Sequence, residues 1–224
     1  MKIKPVIKKI LKYILWAHAV FIGISSLFCI VFSFVNPPTT SMILYRKLTA
    51  DYSVKKRAFI KLDKIPKHTR RMLVISEDSR FYTHFGIDFS AVKYALERNR
   101  KKGKIRIGGS TITQQAARSI FLTTHRNYLR KYLEAWISLE MELFMTKDRI
   151  MELYFNYVEW GKGIFGIETA SMHYFSKSAS RLSVNQSKSL IVILANPIRY
   201  NPHNYHKSRT LQKRKNHIER WFHF

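Results

Sequence analysis

Acidic residues are scarce in this chain: 14 Asp and Glu stand against 40 Lys and Arg, a net charge of +26. Such an imbalance calls for an anionic partner, whether nucleic acid, anionic lipid or a phosphorylated substrate. Cysteine is reduced to Cys29, which excludes an intramolecular disulfide. That residue lies in an apolar run, where it acts as a small hydrophobe and says nothing about redox compartment. A Walker A loop is missing as well, since no Gly-Lys-Ser/Thr follows four variable residues, so nucleotide binding is unsupported. Internal repeats and low-complexity tracts are also lacking, and there is little alternating strand pattern. What is present is apolar content of 46% with 14% aromatics, enough to build a core and to argue against disorder.

One long apolar run stands out. Tyr13 to Val35 contains no Asp, Glu, Lys or Arg, and a bilayer core needs about 20 such residues. Lys2, Lys4, Lys8, Lys9 and Lys12 precede it, and no charge follows until Arg46. The positive-inside rule then keeps the N-terminus cytoplasmic and exports the rest. A cleaved signal peptide would have a shorter apolar region and a small-x-small site; "FSFVNPP" follows instead, favouring a retained anchor. The expected organisation is a basic cytoplasmic N-terminus (1–12), a transmembrane helix (13–35), a linker and membrane-proximal segment (36–60), and one helical domain (61–224).

Within that domain the sequence predicts helices from about Pro66 to Ser79, from Asp88 or Ser90 to Gly103, and from Ser110 onward with Ser110 as N-cap. A long helix is expected from Arg126 to Met145, with Tyr128, Tyr132, Trp136, Leu139 and Leu143 as a core stripe. Thr146 caps the next, through Asn156. "SVNQ", Ser183 to Gln186, reads as a capping box, and a basic helix covers Ser208 to Trp221. Between the prolines of "NPPTTS" and the domain, a short extended piece is expected at Ser41–Tyr45.

The chemistry is concentrated where the acids are. Glu77 and Asp78 sit together in "SEDSRFYTHFG". No further acid occurs between Glu97 and Glu134, an interval holding Arg98, Arg100, Lys101, Lys102, Lys104, Arg106, Arg118, Arg126, Arg130 and Lys131. A tract of one sign suits concentrated negative charge such as phosphate, although a solvated basic face is the plainer alternative. Inside it, "GGSTITQQ" places glycines at a helix N-terminus, where free N–H groups favour an anion. Arg126, Arg130 and Glu134 share a helix face, with Lys131 on the same side. They form either an ion-pair ladder or a pyrophosphate clamp beside a functional carboxylate.

Five segments in order carry a resemblance: "EDSRFYTHFGID", "GGSTITQQAARSIF", "RKYLEAWISLEME", "KDRIMELYFNYVEWGKGIFGIETASMHYF" and "QKRKNHIERW". Together they are similar to the motifs of the lysozyme-like peptidoglycan glycosyltransferases (glycosyltransferase family 51), covering nearly everything after Lys61. With no transpeptidase domain following, and with "ANPIRYNPHNY" present, the chain most resembles the monofunctional biosynthetic subgroup.

The resemblance implies a mainly α, lysozyme-like domain that polymerises lipid II into glycan strands and releases undecaprenyl pyrophosphate. It implies Glu77 as general base and Glu134 as a donor-side carboxylate. Asp78, Phe81, His84 and Gly86 would shape the site. Ser110, Thr111, Thr113, Gln114 and Gln115 would line the cleft, with Arg118, Arg126, Arg130 and Lys131 at the pyrophosphate. Glu152 and Asn156 would be structural. A divalent cation, Mg or Mn, could join them; no other cofactor is implied. The implied partners are lipid II, the growing strand, the membrane and other cell-wall synthesis proteins. The implied location is the bacterial inner membrane, with the domain extracytoplasmic, which rules out nucleic acid. Arg118 stands where the family usually has Lys, Ser119 where it has Asn, Gln186 where it has Glu, and Lys188 where it has a small apolar residue. The rival readings are a lysozyme-like peptidoglycan-cleaving enzyme, a membrane-anchored basic binding protein, and an interaction protein with a dead site.

Overall fold

A computed structural model describes residues 3–101, 103, 108–125 and 127–222. Among them ten α-helices carry the fold: α1 (Ile3–Phe34), α2 (Ser41–Thr49), α3 (Lys67–Glu77), α4 (Phe89–Lys101), α5 (Ile112–Phe121), α6 (Tyr128–Phe144), α7 (Lys147–Tyr157), α8 (Ile167–Phe175), α9 (Val184–Ile193) and α10 (Arg209–Trp221). A small antiparallel hairpin, β1 (Glu159–Gly161) with β2 (Ile164–Phe165), joins α7 to α8.

α1 is long and apolar enough to cross a membrane over Val6–Phe34, with a mean hydropathy of 2.2. Most of its large side chains face outward, from Val6 to Phe34, as expected of a helix whose apolar surface meets lipid rather than a protein core. One face of it lies along α6.

The core forms around α5, which packs against α6 and α7, while α3, α9 and α10 form a second group. Ile112, Ala116, Ala117 and Ile120 of α5 are buried, an i, i+4, i+5, i+8 stripe. α7 is buried on nearly every side, from Ile150 to Tyr157. Asn156 pins the segment leading into α3: its Oδ1 accepts from the Ile60 amide at 2.9 Å and its Nδ2 donates to the Ile60 carbonyl at 2.8 Å. Glu152 adds a bond from the Leu62 amide at 2.8 Å. The structural role implied for this pair is what the geometry provides.

Several expectations change. Ser41–Tyr45 is not extended; it opens α2, capped by Thr40, whose Oγ1 accepts from the Ile43 amide at 3.3 Å. α5 is capped by Thr111 rather than Ser110, through a reciprocal capping box with Gln114. α6 begins at Tyr128, behind an Asn127 cap. Its Tyr128–Leu143 stripe is not core: Tyr128 is 96% exposed and Leu143 67%. The domain core takes Glu134, Ile137, Ser138, Glu140 and Met141 instead. α6 therefore turns its most apolar stripe away from the domain core and a mixed, partly charged face into it. On the outer one, Trp136 stacks on His18 of α1 with ring centroids 5.5 Å apart, and Tyr132 lies 5.7 Å away. Trp160 is fully buried and stacks on Phe155. The capping box at Ser183 and Gln186 forms as read, so Gln in place of Glu keeps the reciprocal bond.

Candidate active site

Glu77 is the last residue of α3, where the helix delivers it toward α5 and α10. Gln115 Nε2 donates to Glu77 Oε2 at 2.8 Å, and Arg214 of α10 forms an ion pair with Glu77 Oε1. The buried Tyr154 hydroxyl donates to Gln115 Oε1 at 3.1 Å. Burial raises the pKa of that phenol, so it remains a donor. Because Oε1 is occupied by a donor, the Gln115 amide must turn its N–H toward Glu77. Tyr154, Gln115 and Glu77 thus form an oriented chain. Burial lowers the Arg214 pKa to about 10, which leaves the guanidinium charged at neutral pH.

Asp78 turns the other way. Its Oδ2 accepts from the Ile112 amide at 2.9 Å, at the start of α5, and from His84 Nε2 at 2.9 Å. A carboxylate at a helix N-terminus satisfies an orphan N–H and complements the dipole. Thr111 Oγ1 donates to the Gly86 carbonyl at 2.6 Å. Asp78, His84, Gly86 and Thr111 therefore fasten the "SEDSRFYTHFG" loop to α5. The adjacent carboxylates Glu77 and Asp78 have separate duties.

Glu134 is the second centre. It is completely buried and surrounded by cations: Lys131 Nζ at 2.5 Å, Arg130 in direct contact, and Arg118 Nη1 at 3.8 Å. Lys131 Nζ also donates to Ser110 Oγ at 2.9 Å and approaches Gln114 Oε1 at 3.5 Å. Three cations share one carboxylate, so the cluster keeps a positive surplus that an added anion can use.

Two cavities flank these centres. One, about 420 Å³, is lined by Gln115, Arg118, Ser119 and Arg130, together with Arg46 and Glu159. The other, about 320 Å³, is lined by Glu77, Asp78, Ser110 and Thr111. Gln115, bonded to Glu77 and lining the first cavity, links that carboxylate to it. The structure thus brings together Glu77, Gln115, Arg118, Arg130, Lys131, Glu134 and Ser110. It assigns Asp78, Thr111 and Gln114 to capping and loop attachment. Arg126 lies outside the described residues.

Three residues escaped the sequence reading. Arg214 was legible in principle: Leu211 and Ile218 of α10 are buried, and Arg214 shares their face at three- and four-residue spacing. Glu159 lies inside the fourth family-like segment, "KDRIMELYFNYVEWGKGIFGIETASMHYF", and Arg214 inside the fifth, "QKRKNHIERW", whereas Arg46 lies outside all five. Arg46 reaches Glu159 Oε2 at 3.0 Å, and the Tyr52 hydroxyl donates to Oε1 at 3.2 Å. Burial raises the Glu159 pKa, with Arg46 opposing it.

A divalent cation at a pyrophosphate ordinarily takes one or two carboxylates together with substrate phosphates and waters. Among the described residues no group of three or more His, Cys, Asp and Glu could hold a metal ion. Each site carboxylate is already held by cations or N–H donors, as Glu77, Asp78 and Glu134 show.

Known proteins resemble this chain over most of its length. A family model described as Transglycosylase matches residues 45–221. A protein from Marinomonas sp. (strain MWYL1) named biosynthetic peptidoglycan transglycosylase is 45% identical over 172 residues, covering 77% of this chain and 74% of the relative. One of the same name from Pseudomonas syringae pv. syringae (strain B728a) is 37% identical over 199 residues, covering 87% and 82%.

Proposed function

The chain belongs to the transglycosylase family, and from that premise we propose that it polymerises lipid II into glycan strands with Glu77 as general base. The coarser statement is already secure: the chain is a peptidoglycan glycosyltransferase of cell-wall synthesis. The observation that carries the finer reading is the link through Gln115 between Glu77 and the cavity holding Arg118 and Arg130. A base and an anion-binding cluster have to face one substrate from two sides, and this side chain faces both.

In the proposed step, the acceptor's sugar hydroxyl gives its proton to Glu77 as its oxygen bonds to the donor's anomeric carbon. The bond from that carbon to the pyrophosphate breaks, and the leaving group takes the electron pair. A positioned carboxylate base supplies roughly 10²–10⁴-fold. Arg118, Arg130 and Lys131 stabilise the charge that grows on the pyrophosphate, and preorganised donors of this kind are often the largest contribution to rate. Glu134 fixes the three cations in place and need not donate a proton, because pyrophosphate leaves as an anion.

α1 is the proposed single-pass anchor, holding the enzyme at the inner membrane where its lipid substrate resides, with the basic N-terminus cytoplasmic. The test is incubation of the full chain with purified lipid II. Long glycan products support transfer. Digestion of finished peptidoglycan without polymerisation would support the cleaving enzyme instead.

A further inference from the structure

We propose that a second pocket, opening beside the catalytic cleft, binds the carboxylate-bearing peptide branch of the sugar substrate. This inference rests on the lipid II reading above. The pocket has a volume of about 440 Å³, and Tyr52, Lys55, Lys162, His173, Arg199 and Tyr200 line it. That size falls in the range of ligand sites, ~300–1,000 Å³. Pro197 and Ile198 border both this pocket and the cavity holding Arg118 and Arg130, so one molecule can occupy both. Tyr52 bridges them too, through its bond to Glu159.

The pocket is held in shape by the β1–β2 hairpin. Gly163 adopts φ +66°, and a Cβ there would lie 2.2 Å from the Ser53 carbonyl oxygen. Only glycine permits so close an approach. The Lys55 amide donates to the Gly163 carbonyl at 2.9 Å. This contact fixes Lys55 and Lys162, from two separate segments, on one rim.

Lys55, Lys162 and Arg199 form no ion pair with a carboxylate among the described residues. Lys162 lies over the Tyr52 ring at 6.0 Å and Arg199 over Tyr200 at 5.6 Å. Partial burial, and then the charge of Lys55, lowers the His173 pKa, so Lys55 is felt at the far side of the pocket. The nearby acid, Glu159, is already engaged by Arg46.

Pyrophosphate has its own compact cluster in the cleft. Here the cations are spread around the rim, between tyrosine rings and the apolar Ile164, Pro197 and Ile198. That layout suits a flexible chain whose carboxylates alternate with short alkyl groups, each carboxylate meeting a separate cation.

The test is steady-state polymerisation by the full-length protein in detergent, with lipid II and with lipid II whose peptide carboxylates are amidated. Wild type is compared with a Lys55→Gln, Lys162→Gln, Arg199→Gln triple variant. Losing charge-assisted contacts should raise wild-type KM by ~10-fold on amidation. The triple variant should show the raised KM with natural lipid II, no further rise on amidation, and an unchanged kcat. Equal wild-type KM values for the two substrates, or equal losses on both in the variant, would overturn the assignment. Wild type that polymerises neither substrate contradicts the lipid II reading itself; wild type that polymerises both with one KM contradicts only the pocket.

Discussion

Arg214 of α10 and Glu77 of α3 form an ion pair that ties the last helix of the chain to the proposed catalytic carboxylate. Gln115 holds the other oxygen, so Glu77 is fixed from two elements that are distant in sequence. Arg214→Gln is expected to lower kcat/KM by ~10-fold, because a misplaced base loses much of its contribution. Lys215→Gln is the control: Lys215 pairs with Glu219 on the exposed side of α10 and should leave the rate unchanged. Parallel lipid II kinetics on the two variants check this; equal losses would assign Arg214 only to packing of α10.

Glu134 is buried among three cations, so removing its charge should cost stability before it costs chemistry. Glu134→Gln leaves Arg130 and Lys131 facing an uncharged group; both reach solvent, so the cost is that of poorly satisfied donors, ~1–3 kcal/mol. Denaturant unfolding of the detergent-solubilised protein measures it. Loss of activity at unchanged stability would instead give Glu134 a direct chemical role.

Gly163 provides a test of the hairpin contact. Gly163→Ala places a Cβ against the Ser53 carbonyl at positive φ, a strain of ~1–3 kcal/mol. Gly108→Ala has open space around it and should cost far less. Thermal unfolding of the two variants separates them.

Asp88 is expected to make stability fall in acid. Its hydrogen bond from Arg80 lowers the carboxyl pKa to about 2 from 3.8, and its Oδ1 accepts from the Ala91 amide at the start of α4 at 2.8 Å. A depressed pKa means the folded state favours the charged form. The contribution is fully present above about 3.8 and is lost as pH falls through about 2. Asp88→Asn should flatten that part of the stability–pH curve, and at neutral pH it should cost about 1 kcal/mol or less, since Asn still caps.

How much of this was legible in the sequence depends on what each residue's signal reports. Caps are local chemistry, so Thr146 and Ser183 were readable, and the Ser110–Thr111 shift is one residue between two good capping types. α2 was missed because nine residues carry little helical preference of their own, and packing on α5 decides the matter. The Tyr128–Leu143 stripe was correctly apolar and wrongly placed, because periodicity shows that a face avoids water without showing what covers it. Glu77, Glu134, Arg118, Arg130 and Lys131 were readable through the family motifs. The pairing of Arg46 with Glu159 was not, although Glu159 lies in a quoted motif, since it joins α2 to the hairpin across 113 positions.

The central claim is that Glu77 takes the proton while the cation cluster takes the pyrophosphate. The most direct measurement is single-turnover polymerisation of lipid II by wild type and by Glu77→Gln at saturating substrate. Gln can still bond Gln115 but cannot accept the proton, so the rate should fall ~10²–10⁴-fold with substrate binding retained. Polymerisation by Glu77→Gln at the wild-type rate would contradict the account.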